Sequence, residues 1–346
     1  MKKLLFLLSV PVVAAAQPAG LPFEGERPIA SALDPDVALQ PTWGNGAVPS
    51  SAAPDVVGAF RFICTAGQVL PDDPIVYPGQ PGKSHLHQFY GNEAADASST
   101  YASLRARGTS TCNHGPFAAN RSAYWMPAML DGAGTVVKPA FVAIYYKRRP
   151  ADDPKCSLSS GDPHAEGNCV PIPNGIKFIF GYDMLTHKSP TGSLWFNCQG
   201  PSAVEGHYPN LDVALAHCPA DRGNKVGAII EAPSCWDGKS LDSANHRDHV
   251  GYPGYGSWGY LKCDSAHRYV IPTFTLGAWY PVASAMHLSS DAMVPNAAPG
   301  TTFHADYFEA WDPAVKAMWT ENCINKMLNC SGGDLGNGKQ LKGAAI

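Results

Sequence analysis

Val270-Ile271-Pro272-Thr273-Phe274-Thr275-Leu276-Gly277-Ala278-Trp279-Tyr280 reads as a β-strand with a proline near its start. Its β-branched and aromatic residues suit a pleated, half-buried surface, and proline is tolerated at the beginning of a strand. Runs of the same character lie at Phe60–Cys64, Ala140–Tyr146, Ile176–Tyr182, Ser193–Cys198 and Val226–Glu231. Between them 34 glycines and 31 prolines punctuate the 346 residues and leave little room for long helices. The reading is a mainly β fold, sandwich or jelly-roll-like, with long disulfide-pinned loops and a C-terminal helix. That helix starts where Asp312 can N-cap and Pro313 fills the first turn, and Val315, Met318, Trp319, Asn322 and Cys323 keep helical spacing. It is expected to run to about Leu328 before Gly332-Gly333, with a shorter helix around Leu211 to His217.

The start of the chain has a different character. Lys2 and Lys3 precede an apolar run from Leu4 to Ala16 that ends in Ala14-Ala15-Ala16, the pattern of a signal peptide over residues 1–16 with cleavage near Ala16. Residues 17–54 are rich in Ala and Pro and read as a linker, residues 55–330 as a single domain, and residues 331–346 as a flexible tail. No later segment is apolar enough for a transmembrane helix, so an extracellular or periplasmic location is expected. Ten cysteines without a C-x-x-C pair, in an exported chain, favour disulfides over a zinc ribbon. Cys156 with Cys169, Cys235 with Cys263 and Cys323 with Cys330 are plausible neighbours. The formal charge of −4, with no basic block, argues against nucleic acid as a partner. No nucleotide cofactor is expected.

Chemistry concentrates in the histidines. In Ser84-His85-Leu86-His87-Gln88-Phe89-Tyr90-Gly91 two imidazoles at i and i+2 project from the same face of an extended segment. A third ligand from elsewhere would complete the three-ligand-plus-water pattern of a catalytic metal site, and His304 is the candidate. His304-Ala305-Asp306 sets an imidazole and a carboxylate on one face if that segment too is extended. His246 and His249 lie in a polar, Gly-rich stretch that follows Pro233-Ser234-Cys235-Trp236-Asp237-Gly238-Lys239. The expected metal ligands are therefore His85, His87 and His304, for one divalent ion such as zinc. His249, His246, Asp306 and Tyr124 are the candidate acid/base groups, and Trp125, Trp236, Asp237 and Lys147 the candidate substrate contacts. The bland alternatives are a capping Asp306, a disulfide-braced loop around Trp236, and ordinary strand residues at Tyr124, Trp125 and Lys147.

Spacing tests several known arrangements. A cupin site wants Gly, five residues, His-x-His, three or four residues, then Glu; Gly79 precedes His85 correctly, but Glu93 follows His87 one residue too late. A cupin-like double-stranded β-helix stays as a fold alternative. Amidohydrolase barrels need strand-helix units that this chain lacks. Metallo-β-lactamase-type hydrolases continue with Asp-His where this chain has Gln88-Phe89-Tyr90, and the N-terminal-histidine copper monooxygenases would need His where cleavage exposes Gln17. Gly254-Tyr255-Gly256-Ser257-Trp258-Gly259 makes no convincing nucleophile elbow.

The ordered set of the 84–92 stretch, Ser122-Ala123-Tyr124-Trp125-Met126-Pro127, the 233–239 stretch, 246–253 and 304–311 resembles a secreted family of fungi and bacteria known as domain of unknown function nineteen ninety-six. The resemblance spans roughly Val56 to Cys330. It implies one extracellular domain, in fungi often joined to wall-associated modules, and no established reaction. Family-like positions are His85, His87, Trp236, Asp237, His246, His249, His267, His304 and Asp306; Cys263-Asp264 and Ala305 depart from the expected Cys-Pro and His-Gly-Asp. The leading expectation is an extracellular hydrolase or polysaccharide lyase acting on polysaccharide or another cell-wall polymer through a His-rich cleft. The competing expectation is a non-catalytic module that binds wall glycan or metal.

Overall fold

The computed structural model describes residues 25–344 apart from residues 32, 114, 116, 191, 257 and 258. The expected signal peptide at residues 1–16 lies outside the described residues. Strands of five or more residues are β1 (Gly58–Cys64), β2 (His87–Gly91), β3 (Ala123–Pro127), β4 (Phe141–Arg148), β5 (Lys177–Gly181), β6 (Leu194–Gln199), β7 (Lys225–Glu231), β8 (Thr273–Pro281) and β9 (His304–Phe308). One six-stranded sheet has the order β6-β7-β8-β4-β1, antiparallel throughout, with Asn329–Cys330 added parallel to β1 at the edge. A five-stranded antiparallel sheet runs Val69–Leu70, β2, β3, β9, β5.

The period of two along each strand makes these sheets face one another. On β8, Phe274, Leu276, Ala278 and Tyr280 are buried, while Thr273, Thr275 and Trp279 alternate with them on the wetter face. Phe274 meets Tyr124 and Phe180 of the second sheet edge-on, with ring centroids 5.8 and 5.5 Å apart. Tyrosine hydroxyls buried between the sheets satisfy one another: Tyr124 and Tyr146 are 2.7 Å apart, Tyr146 donates to Tyr307, and the Trp311 indole donates to Tyr146. The result is a β-sandwich. Neither sheet closes into a barrel among the described residues, so the cupin-like alternative is not what forms. Glu93, the carboxylate that alternative needed, lies exposed and accepts a hydrogen bond from Thr109 instead.

The α-helices of six or more residues are α1 (Tyr101–Ala106), α2 (Leu211–Ala216) and α3 (Pro313–Trp319). Asp312 caps α3 as expected, accepting from the amides of Ala314 and Val315. The α-helix ends sooner than its apolar spacing implied, and a π-type segment, Thr320–Ile324, continues it. That segment presses its carbonyls on Gly58 of β1, where a Cβ would fall 2.3 Å from the Ile324 oxygen.

Residues 331–344 are a correction to the expected tail, since they form packed structure. Leu335 and Leu341 are buried in the main core, and Lys339–Leu341 pairs with Leu39–Pro41. Five glycines there, Gly332, Gly333, Gly336, Gly338 and Gly343, adopt positive φ and make tight turns, which a composition reading takes for flexibility.

Five disulfides brace the loops. Cys156–Cys169, Cys235–Cys263 and Cys323–Cys330 form as expected, and Cys64–Cys112 and Cys198–Cys218 complete the set. Such a set fits an oxidising, extracellular setting. No helix among the described residues is long and apolar enough to cross a membrane.

Candidate metal centre and cleft

The five-stranded sheet gives its two faces different work. Ala305 and Tyr307 of β9 point into the sandwich core, so the alternation sends His304, Asp306 and Phe308 to the outer face. On β2 Tyr90 faces the core, which puts His87 and Phe89 on that same outer face. One strand, β3, lies between β2 and β9. His85 sits just before β2, and its ring meets that of His87 at 4.0 Å and that of His304 at 5.2 Å between centroids. One ring nitrogen from each of the three lies within 4.8 Å of the others, so the group could hold a metal ion.

The hydrogen bonds around the rings show that the group fits such an ion. His87 Nδ1 is 2.9 Å from the Asp72 carbonyl and His304 Nδ1 is 2.7 Å from the Thr302 carbonyl. A carbonyl can only accept, so each Nδ1 carries the proton and each Nε2 presents a lone pair. The buried His87 Nε2 has no hydrogen-bond partner, and His304 Nε2 meets His85 Nε2 at 3.3 Å. Nitrogens at about 2.0–2.1 Å from a tetrahedral ion are separated by about 3.3–3.4 Å, the edge of that tetrahedron. Backbone carbonyls on the far nitrogens are also the usual outer support of metal-binding histidines. Burial holds His85 down to about 4. Burial, then the charge on His85, holds His304 down to about 3. Burial, then the charges on its two neighbours, holds His87 well below the ordinary imidazole range. All three rings are therefore neutral at pH 7, the form that coordinates metal.

A cleft of about 390 Å³ opens over this face. His85 and His304 reach its wall, together with Asp306, Asp73, His246 and Arg247. Asp306 is fully buried, neither oxygen has a hydrogen-bond partner, and burial followed by the charge on Asp73 raises its carboxyl well above the usual range. Arg247 donates to the carbonyls of Gly181 and Tyr182, which fixes its guanidinium at the end of β5. Leu185, 81 % exposed, and Met293, 56 % exposed, give the cleft an apolar rim.

Among the residues expected from sequence, His85, His87, His304, Asp306 and His246 come together here. The others go elsewhere, for physical reasons. Tyr124 is a core residue bonded to Tyr146, and Trp125 lies fully buried, stacked on Phe89 at 5.3 Å. His249 is buried with both nitrogens engaged, by Ser243 Oγ and the Lys177 carbonyl. Trp236 is buried and donates to the Ser240 carbonyl, while Asp237 caps the turn by accepting from Lys239 and Ser240. Lys147 is exposed over the Tyr145 ring on the six-stranded sheet. His267 braces a loop between Asp264 and the Asp248 carbonyl. Asp73, Asp242 and Arg247 are cleft or cleft-supporting residues that sequence reasoning passed over. Arg247 adjoins His246, the one signal that could have drawn attention to it; Asp73 looks like any turn aspartate beside Pro74.

These features define a mainly β, disulfide-braced protein whose clustered histidines could hold a metal ion at the side of a cleft. Residues 73–311 match the family described as domain of unknown function (DUF1996), and the chain belongs to that family. No curated protein and no solved structure matches it.

Proposed function

We propose that the protein is an extracellular metal-dependent hydrolase, with His85, His87 and His304 holding one divalent ion such as zinc, and with polysaccharide or another cell-wall polymer as the substrate class. The observation that carries this reading is the convergence of one ring nitrogen from each of three histidines, two of the rings oriented by backbone carbonyls on Nδ1, beside an open cleft. Three protein ligands leave a coordination position for a small molecule, unlike the closed four-ligand sets of structural zinc. A divalent ion held there would supply Lewis acidity and make water a competent nucleophile at neutral pH. The expected signal peptide and the five disulfides support an extracellular location, and a polymer outside the cell is what an exported hydrolase would meet.

A lyase has less support. Of the bases expected for one, His249 and Tyr124 are both buried away from the cleft, and the tyrosine in the cleft wall is Tyr77. The sugar platform expected at Trp125 and Trp236 is likewise absent from the cleft wall, so Tyr77 and the apolar rim take the place of stacking rings there. The test is a panel of wall polysaccharides and peptide-bearing wall fragments incubated with zinc-loaded protein and with His304→Ala. Soluble reducing ends or free amines released by the wild type, and lost in the variant, are expected. Saturable binding with no released product from any substrate would replace the enzyme with a non-catalytic binding module.

A further inference from the structure

The stretch 241–247 runs beside the free edge of β5, and its backbone is tied there. Lys177 N donates to the Leu241 carbonyl and Ile179 N donates to the His246 carbonyl at 3.0 Å each. Within this loop Asp242 collects three partners. Its Oδ1 accepts from the Ser243 amide at 2.8 Å and lies 2.7 Å from His246 Nδ1, while Oδ2 pairs with Lys177 Nζ at 3.2 Å. A carboxylate fixed by a lysine and an amide is oriented before the imidazole arrives. It therefore orients the imidazole.

His246 itself has φ of +58°, a left-handed conformation that a residue with a Cβ seldom adopts. The conformation is held by the Ile179 bond, by its own amide on the Ser243 carbonyl at 2.9 Å, and by Asp242. Strain sustained by surrounding contacts gathers at functional positions. With Nδ1 on the carboxylate, Nε2 is left, and it makes no protein hydrogen bond among the described residues. The residue lines the same cleft as His85, His304 and Asp306.

We propose that Asp242 and His246 form a proton-transfer dyad facing the cleft, with His246 Nε2 the group that meets the ligand and Asp242 the positioning residue. The inference rests on the hydrolytic reading of the cleft and adds to it the residue pair that handles the proton. His246 Nε2 takes the proton from the attacking water as the new bond to the substrate forms. The imidazolium is then held by Asp242 and gives the same proton to the leaving group as the scissile bond breaks, so no charge or proton is left over. His249 and His267, by contrast, are bonded at both ring nitrogens and have none left for the cleft.

Diethyl pyrocarbonate is the probe, since it acylates unprotonated imidazole nitrogen whether or not the natural substrate is known. Wild type, Asp242→Asn and Asp242→Glu, each loaded with zinc, are treated at neutral pH, and the rate at His246 is followed by peptide mass spectrometry. Imidazole nitrogen-15 spectra give the tautomer, and calorimetry gives zinc affinity in the same samples. The expected result is acylation of His246 in the wild type, slowed roughly tenfold in Asp242→Asn and largely restored in Asp242→Glu. The protonated Nδ1 signal disappears only in Asp242→Asn, and zinc affinity is equal in all three. Equal rates in wild type and Asp242→Asn, or no acylation of His246 in the wild type, overturn the dyad. A wild type that fails to bind zinc counts against the metal reading alone, because acylation of His246 is compared between wild type and variants whether or not zinc is bound.

Discussion

At Asp306 a carboxyl group is buried with neither oxygen hydrogen-bonded. A buried polar group without a partner costs about 1–3 kcal/mol. Folding alone gives no reason to keep it, and its cross-strand neighbour Trp125 also has an unpartnered indole nitrogen. Under the proposed function, a carboxyl retained at that cost would serve a ligand of the cleft at the expense of stability. Metal-free Asp306→Ala is therefore expected to be more stable than the wild type by about 1 kcal/mol or more in urea unfolding; a loss of that size would mean the carboxyl has a structural partner. A second residue-scale expectation concerns Ser289, whose hydroxyl lies 3.3 Å from His85 Nδ1. Ser289→Ala should weaken zinc binding roughly tenfold in a calorimetric titration, as loss of an outer support of a ligand does, whereas unchanged affinity would show that His85 is oriented by the Leu86 carbonyl alone.

Among the elements, α3 is the one whose anchoring can be tested most simply. Asp312 both caps the helix and pairs with the buried Arg105 at 3.1 Å. Removing one partner of a buried pair costs about 3–5 kcal/mol because the other charge is stranded. Asp312→Ala should fall in that range by denaturant unfolding, and a cost below about 1 kcal/mol, that of a cap alone, would show that Arg105 finds another acceptor. The same helix was readable from sequence, cap included, because capping chemistry is local. So were the runs that became β1, β4, β5, β6, β7 and β8, whose aromatic and branched residues carry the alternation. Much of the second sheet was not. His87–Gly91 and His304–Phe308 are short, and their outer face carries His87, His304 and Asp306 where a hydrophobic pattern would need apolar residues. The site itself hid the strands that build it. The histidine pair was readable from its spacing, yet Tyr124, Trp125 and Trp236 were assigned to function because a sequence does not show which aromatic rings the sandwich will bury.

For the whole molecule, the disulfides and the position of the site belong together. The cleft lies on the outer face of one sheet under loops, and Cys64–Cys112 closes 48 residues that include the 71–86 segment and β2. Cys323–Cys330 closes only 7. Loop closure makes the larger crosslink worth about 1.5–2 kcal/mol more to stability. Double Cys→Ser replacement of each pair should show that order in thermal unfolding, and the larger one should also weaken zinc binding by loosening His85 and His87; the reverse order would place the stabilising crosslink elsewhere. The most direct measurement is zinc stoichiometry by elemental analysis and calorimetry on the wild type and on the protein with His85, His87 and His304 all changed to alanine. One zinc per chain in the wild type and none in the variant is the expected result. No zinc in the wild type, or zinc retained after all three histidines are gone, would contradict the metal centre.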